Sequence, residues 1–324
     1  MYVICKIRGR ISMPNTSKSA QNQPNQDLRA SKAKELRQQT IVGIIVVAIL
    51  IGMIAAIGIT ALNATNAQNQ KNAEQAQQAR RAVKKLTASQ KPKYANEQGG
   101  ILISKSGYNT AEPNAPTIAV YADPLCPGCG NFNRDSDQML IAMMKAGQIN
   151  LEIHPMSFLD RISSDHYSTR VTGAIAYISS NDDNPLHLLQ FINNIFAEDF
   201  QPEEGDAYKP VSNKKLIEQA INAGVSEEVA NKAFNRNYLD WQNAINADTP
   251  NRKALWNVSG SNKGAMTTPT TTINGKLLDM VAVSKNKLST PDAILKSIGL
   301  DKSKVGVDGV MPKVTDKDQP NPID

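Results

Sequence analysis

Apolar and polar residues fall into three regimes along the chain. From Ile41 to Leu62 every side chain is uncharged and most are apolar, a run long enough to cross the hydrocarbon core of a bilayer as a helix. From Asn63 to Gly100 the residues are mainly Gln, Asn, Ala, Lys and Arg, too polar for a core. They predict a partly helical stalk. Beyond Gly100 the apolar positions take up the periods of strands and helices, and a folded domain is expected there.

Within that domain the first strands are predicted over Ile101–Ser104 and Thr117–Ala122, the second bracketed by Pro116 and Asp123-Pro124. Phe132, Met139, Leu140 and Met143 then keep helical spacing as far as Gly147, a helix stop. Ile149, Leu151 and Ile153 alternate with polar residues as in a strand. From about Ser163 to Leu255 apolar residues recur only at helical intervals, as in Leu188, Leu189, Ile192 and Ile195. Asn184-Pro185 and Ser226 mark helix starts. The β-branched run Thr270–Ile273, followed by Asn274-Gly275 and Lys276–Leu278, predicts a hairpin. Thr290, before Pro291, is expected to cap a last helix ending near Gly299, and the charged, Pro-containing remainder is expected to be a disordered tail.

The resulting organisation is a cytoplasmic leader (1–40), a transmembrane helix (41–62), a polar stalk (63–100), a first αβ segment (101–162), a helical block (163–255), a second αβ segment (256–300) and the tail (301–324). A cleavable signal peptide is the rival for 41–62, but its apolar region would be shorter and Ala64-Thr65-Asn66-Ala67 is a mediocre cleavage site. Arg29, Lys32, Lys34 and Arg37 precede the span, whereas Lys71 is the first basic residue after it. This asymmetry predicts a cytoplasmic N-terminus and an extracytoplasmic domain. The cluster Arg80, Arg81, Lys84 and Lys85 reads as a solvated helix face in preference to a headgroup contact.

Composition narrows the chemistry. The net charge of +6 is not gathered into a basic domain with interleaved aromatics, so nucleic acid is not an expected partner. Three cysteines exclude a structural disulfide framework. Cys5 would vanish if translation began at Met13, and it is assigned no role. Cys126 and Cys129 stand two residues apart where a strand hands over to a helix. There the unpaired N–H groups of the first helical turn favour a thiolate, the attacking species in disulfide exchange. Zinc needs more ligands than one such pair, and His154, His166 and His187 show no ligand spacing with one another. His154, at a strand end, reads as a structural histidine. No metal and no cofactor are expected.

The run Tyr121-Ala122-Asp123-Pro124-Leu125-Cys126-Pro127-Gly128-Cys129, the helical block, and Met266-Thr267-Thr268-Pro269-Thr270 followed by Ile273-Asn274-Gly275-Lys276 together resemble the DsbA-like branch of the thioredoxin superfamily, over about residues 100 to 299. The resemblance implies a thioredoxin-like α/β fold with an inserted helical domain, here preceded by one transmembrane helix. It implies Cys126 as exposed nucleophile and Cys129 as resolving thiol, with Pro127 and Gly128 between them. It also implies Pro269 as a cis-proline facing the pair and Thr268 as a contact for the substrate backbone. Read from its residues alone, Pro269 fits a trans proline opening a strand equally well. Two departures stand out: Val120 occupies the position where relatives often carry a buried acid, and Gly128 replaces the histidine of strongly oxidising relatives. Asp123 reads first as a turn residue beside Pro124 and second as a proton relay.

The expected activity is thiol-disulfide exchange on exported proteins with cysteine pairs, reset by a redox partner in the membrane. A thiol reductase, for example in cytochrome maturation, and a non-catalytic binding module that would not need both cysteines remain alternatives.

Overall fold

The computed structural model describes residues 65–323; the leader and the span predicted over 41–62 lie outside them. Among the described residues no helix is long and apolar enough to cross a membrane. The sheet has six strands in the order β2-β1-β4-β3-β5-β6: β1 (Ile101–Ser104), β2 (Gly107–Tyr108), β3 (Thr117–Ala122), β4 (Asn150–Pro155), β5 (Thr270–Ile273) and β6 (Lys276–Leu277). Only β3 and β4 run parallel, with Val120 opposite Ile153. Their connection is the helix α2 (Pro127–Lys145), as a parallel pair requires a long crossover.

Strand β3 lies at the centre of this arrangement, between β4 and β5. Its alternation sends Ile118 and Val120 into the main core with Leu140, Met143 and Ile294, while Ala119 and Tyr121 enter a second cluster with Met156, Trp241 and Ile245. Both faces are therefore buried, which explains an unbroken apolar run where a half-exposed strand would alternate. The hairpin β5–β6 turns at Asn274 and Gly275, both with positive φ, as the Asn-Gly pair demands.

Between β4 and β5 lies the helical block: α3 (Tyr167–Asn181), α4 (Pro185–Phe196), α5 (Asn213–Asn222), α6 (Glu227–Ala233) and α7 (Leu239–Asp248). Asn184, Ser212 and Ser226 cap three of these helices through their side chains. The stripe Leu188, Leu189, Ile192 and Ile195 is buried, as its helical spacing predicts. After the sheet come α8 (Met280–Lys285), capped by Asp279, and α9 (Thr290–Ile298), which ends at Gly299 in the left-handed region. Its cap is Ser289, one residue before the Thr290 expected. The two-residue strand β2 and the short α8 have too few positions to show a period in sequence.

Two polar segments pack more closely than composition implies. The stalk contains α1 (Thr65–Lys85), whose Ala79 and Val83 are buried, Val83 in the cluster of Trp241 and Ile245. Arg80 pairs with Asp248 at 3.8 Å. Only two small apolar side chains are needed to seat this helix, so its overall polarity concealed the docking. The tail expected to be disordered is also held. Gln148 is fully buried, its Nε2 donating to the carbonyls of Lys304 (2.8 Å), Val307 (3.2 Å) and Val310 (2.9 Å) while its Oε1 accepts from Gly306 N (2.9 Å). Val314 N and Asn321 N bond to the carbonyls of Ile298 and Ser297. The partners for this segment's polar backbone lie far away in sequence, and composition carries no sign of them.

Gln148→Ala is expected to destabilise the protein by about 2–4 kcal/mol, because several buried backbone groups lose their partners together. Urea unfolding measures the loss, and limited proteolysis should show cleavage beyond residue 300 in the variant alone. Unchanged stability would mean that the tail does not depend on Gln148.

Candidate active site

The end of β3 delivers its chain directly to a helix N-terminus. Asp123 and Pro124 make the turn, Cys126 N donates to Asp123 O at 3.0 Å, and Cys126 is itself the N-cap of α2, with Pro127 in the first turn. A proline there loses no hydrogen bond and starts the helix with a suitable φ. The carbonyl of Cys126 accepts from Cys129 N (3.0 Å) and Gly130 N (3.1 Å). This first turn places Cys129 beneath Cys126, and both are free thiols.

Across from the pair, the Thr268-Pro269 peptide bond is cis. Cys126 Sγ lies 3.4 Å from Thr268 O. A Cβ on Gly128 would stand 3.2 Å from Pro269 Cδ and 3.7 Å from Cys126 Sγ. The lack of a side chain at Gly128 therefore gives the proline its close approach. The structure thus brings together Cys126, Pro127, Gly128, Cys129, Thr268 and Pro269, although the last two lie about 140 positions beyond the cysteines. One expectation needs correction: Cys126 is not exposed but buried, at 1%, since the Thr268 carbonyl packs against its sulfur.

The two thiols differ electrostatically. Hydrogen bonding from the Cys129 side chain, and then from its backbone N–H, holds the Cys126 thiol below the ordinary range against the opposing effect of burial. Cys129 is pushed well above that range, first by burial and then by its hydrogen bond to Cys126. Asp123 opposes ionisation of both sulfurs through its charge.

Asp123 is fully buried. Its carboxylate accepts from Leu125 N (2.9 Å), Leu159 N (2.9 Å) and Ser168 Oγ (2.6 Å), while its own N–H points to Cys129 Sγ at 3.4 Å. The turn bond to Leu125 N is the one expected of an aspartate before proline. The bonds to Leu159 and Ser168 extend it into the loop after β4 and into the helical block. Burial raises its pKa to about 6, with the three donors resisting. Val120, by contrast, is packed in the core.

Sequence reasoning missed Gln201, Arg134 and Glu204. Gln201 Nε2 donates to Pro124 O (3.1 Å) and Cys126 O (3.0 Å). Glu204 is half-buried, its Oε2 enclosed without a hydrogen-bond partner among the described residues, and its pKa is raised by burial and by Asp123. The one sequence signal was Gly130, a glycine inside a helix, which marks close approach by another group. His154 lies elsewhere, stacked on Tyr121 at 3.9 Å between ring centroids and bonded through Nε2 to Glu152.

A family model described as thioredoxin matches residues 107–290. Among curated proteins, the serine/threonine-protein kinases PknE of Mycobacterium tuberculosis (strain H37Rv) and Mycobacterium bovis are 34% identical over 92 residues, which is 28% of this chain and 16% of theirs. The match thus spans less than a fifth of the length of these relatives. Similar solved structures include the reduced disulfide bond oxidoreductase DsbG of M. tuberculosis (24% identity, TM-score 0.48, 64% of this chain and 88% of that one). Reduced DsbA of the same organism gives 22% identity and a TM-score of 0.46 over 60% of this chain and 95% of that one. MdbA of Actinomyces oris, a thiol-disulfide oxidoreductase, gives 19% and 0.48 over 66% and 93%. The family match covers more than half of the chain, and the protein belongs to the thioredoxin family.

Proposed function

We propose that this protein is a thiol-disulfide oxidoreductase acting on exported proteins with cysteine pairs, anchored by residues 41–62 with its folded domain outside the membrane. The observation that carries the chemistry is the pairing of two unlike thiols at one helix N-terminus, Cys126 lowered and Cys129 raised, against the cis Thr268-Pro269 peptide. The location rests on the uncharged run and on the basic residues before it.

With the pair oxidised, a client thiolate attacks Cys126 Sγ. The Cys126–Cys129 bond breaks, and its electron pair goes to Cys129, which takes up a proton and becomes the buried thiol. A second client thiolate then attacks the client sulfur of the mixed disulfide and releases Cys126 as a thiolate. The client loses two electrons, and the pair gains them. A low-pKa leaving group speeds the second step, so the asymmetry of the two sulfurs favours oxidation of the client. Thr268 and Pro269 supply the wall along which the client backbone would lie. A redox partner in the membrane would reset the pair. The acidic Asp123, which disfavours the thiolate, is the observation that favours the reductase reading.

Cys126→Ser should reduce exchange with a dithiol peptide to the uncatalysed rate, and Cys129→Ser should accumulate the mixed disulfide, visible by mass spectrometry. Full exchange activity in both variants would overturn the assignment. Protease added to intact cells should remove the folded domain; protection of that domain would overturn the location.

Asp123 supplies a pH test. Because its folded pKa lies above its unfolded value, its contribution to stability is full below about pH 4 and is lost as pH rises through about 6. Between pH 4 and 7 the reduced protein should lose up to about 3 kcal/mol through this group, and Asp123→Asn should flatten that dependence in urea titrations. The same substitution removes the charge facing the thiols, so Cys126 alkylation should begin at lower pH than in the parent. Identical alkylation profiles would show that Asp123 does not act on the pair.

A further inference from the structure

Besides the Ser168–Asp123 bond, the helical block reaches the cysteine segment through Gln201. After α4 ends at Phe196, Phe200 N and Gln201 N both donate to Ala197 O, at 3.0 and 2.9 Å. This turn carries Gln201 over the start of α2. Its Nε2 donates to two carbonyls on either side of Leu125, those of Pro124 (3.1 Å) and Cys126 (3.0 Å). Its Oε1 accepts from Arg134 Nη1 at 3.2 Å. Arg134 is fixed in turn, with Nη1 donating to Phe196 O and Nη2 to Asn131 Oδ1, both at 2.6 Å.

This arrangement settles which way the amide faces. A guanidinium only donates, so the group beside Arg134 must be the amide oxygen, and the amide nitrogen is left for the two carbonyls, which only accept. The amide also occupies space that an ordinary helix residue would need. A Cβ on Gly130 would lie 1.9 Å from Gln201 Oε1 and 2.8 Å from Arg134 Nη1. Glycine inside a helix costs about 1 kcal/mol relative to alanine, and here it is what admits Gln201.

The electrostatic consequence falls on the nucleophile. The Pro124 and Cys126 carbonyl oxygens carry partial negative charge, one on the nucleophile's own residue and the other two residues before it. The Cys126 oxygen already receives two backbone N–H groups from the first turn of α2, and Gln201 adds a third donor. We propose that Gln201 is a positioning residue for Cys126: its amide, aimed by Arg134, fixes and neutralises the two carbonyls flanking Leu125 and so ties the reactivity of the dithiol to the helical block. The titratable groups acting on Cys126 are Cys129 and Asp123; Gln201 is uncharged, so its effect is separable from theirs. The inference rests on the reading of Cys126 as nucleophile.

The test uses the full chain with Gln201→Met, which keeps the length of the side chain without charge or hydrogen bonds. Two readouts are needed: the pH profile of Cys126 alkylation, and the equilibrium constant of the dithiol with glutathione disulfide. Loss of a donor to the carbonyls should shift the alkylation profile to higher pH. Both the alkylation rate at neutral pH and the oxidising equilibrium constant should fall by roughly three- to tenfold. A side chain that merely ties two parts of the fold together would lower the melting temperature and leave both readouts unmoved, and that result would overturn the proposal. Should Gln201→Met fail to fold, Arg134→Lys decides, because it keeps the positive charge and leaves Gln201 in place but removes the rigid guanidinium fork that aims it. A shift of at least about twofold in the same direction is then expected, and an unchanged profile overturns the proposal. If the parent protein exchanges no disulfides at all, the functional reading fails, while the alkylation profiles still decide the role of Gln201.

Discussion

The buried carboxylate of Asp123 is the point at which three separate parts of the chain meet. Its oxygens accept from the turn that leads into the cysteines, from the loop that leaves β4, and from Ser168 at the start of α3. A buried acceptor with three donors cannot be removed piecemeal, because each donor left behind would be stranded without water. The same constraint explains how a helical block can be inserted between two strands without loosening the site. Ser168 and Leu159 are fixed to the residue that starts the active turn, so the insertion shares the rigidity of the sheet. The cost falls on the sulfurs, which face a carboxylate held close to the pH at which it ionises.

Much of this was legible in the sequence, for identifiable reasons. The strands β3 and β4, the helix after the cysteines and the Asn274-Gly275 turn show strong local periods or turn chemistry, and the structure places them within a residue or two of the expected limits. Cys126 and Cys129 were legible because two cysteines at a strand-to-helix junction are scarce. Thr268 and Pro269 were reached only through a family resemblance, since nothing local distinguishes a cis-proline from one that opens a strand.

What remained hidden depends on contacts distant in sequence. Gln201 is an ordinary glutamine in a loop, and only its placement over Gly130 gives it a role. The second and third bonds of Asp123 could not be anticipated from the turn that explains the first. Residues 301–323 look unstructured by composition because their partners are backbone groups and the side-chain amides of Gln148 and Asn274 in other parts of the fold. Polarity marks a segment that cannot form its own core, but it does not mark a segment that another core can hold.

Gln148 therefore has a bearing on the order of assembly. It stands at the entrance to β4, between the helix that carries the cysteines and the strand that pairs with β3, yet its amide is satisfied by carbonyls some 156 to 162 positions later. Contacts of such separation form late, after the loop between them has closed. The chain cannot complete the interior beside its first βαβ unit until residues 304–310 have been synthesised. For a protein that emerges from the ribosome N-terminus first, the redox pair's own scaffold must wait for a segment some 156 to 162 residues downstream of Gln148 before it can close.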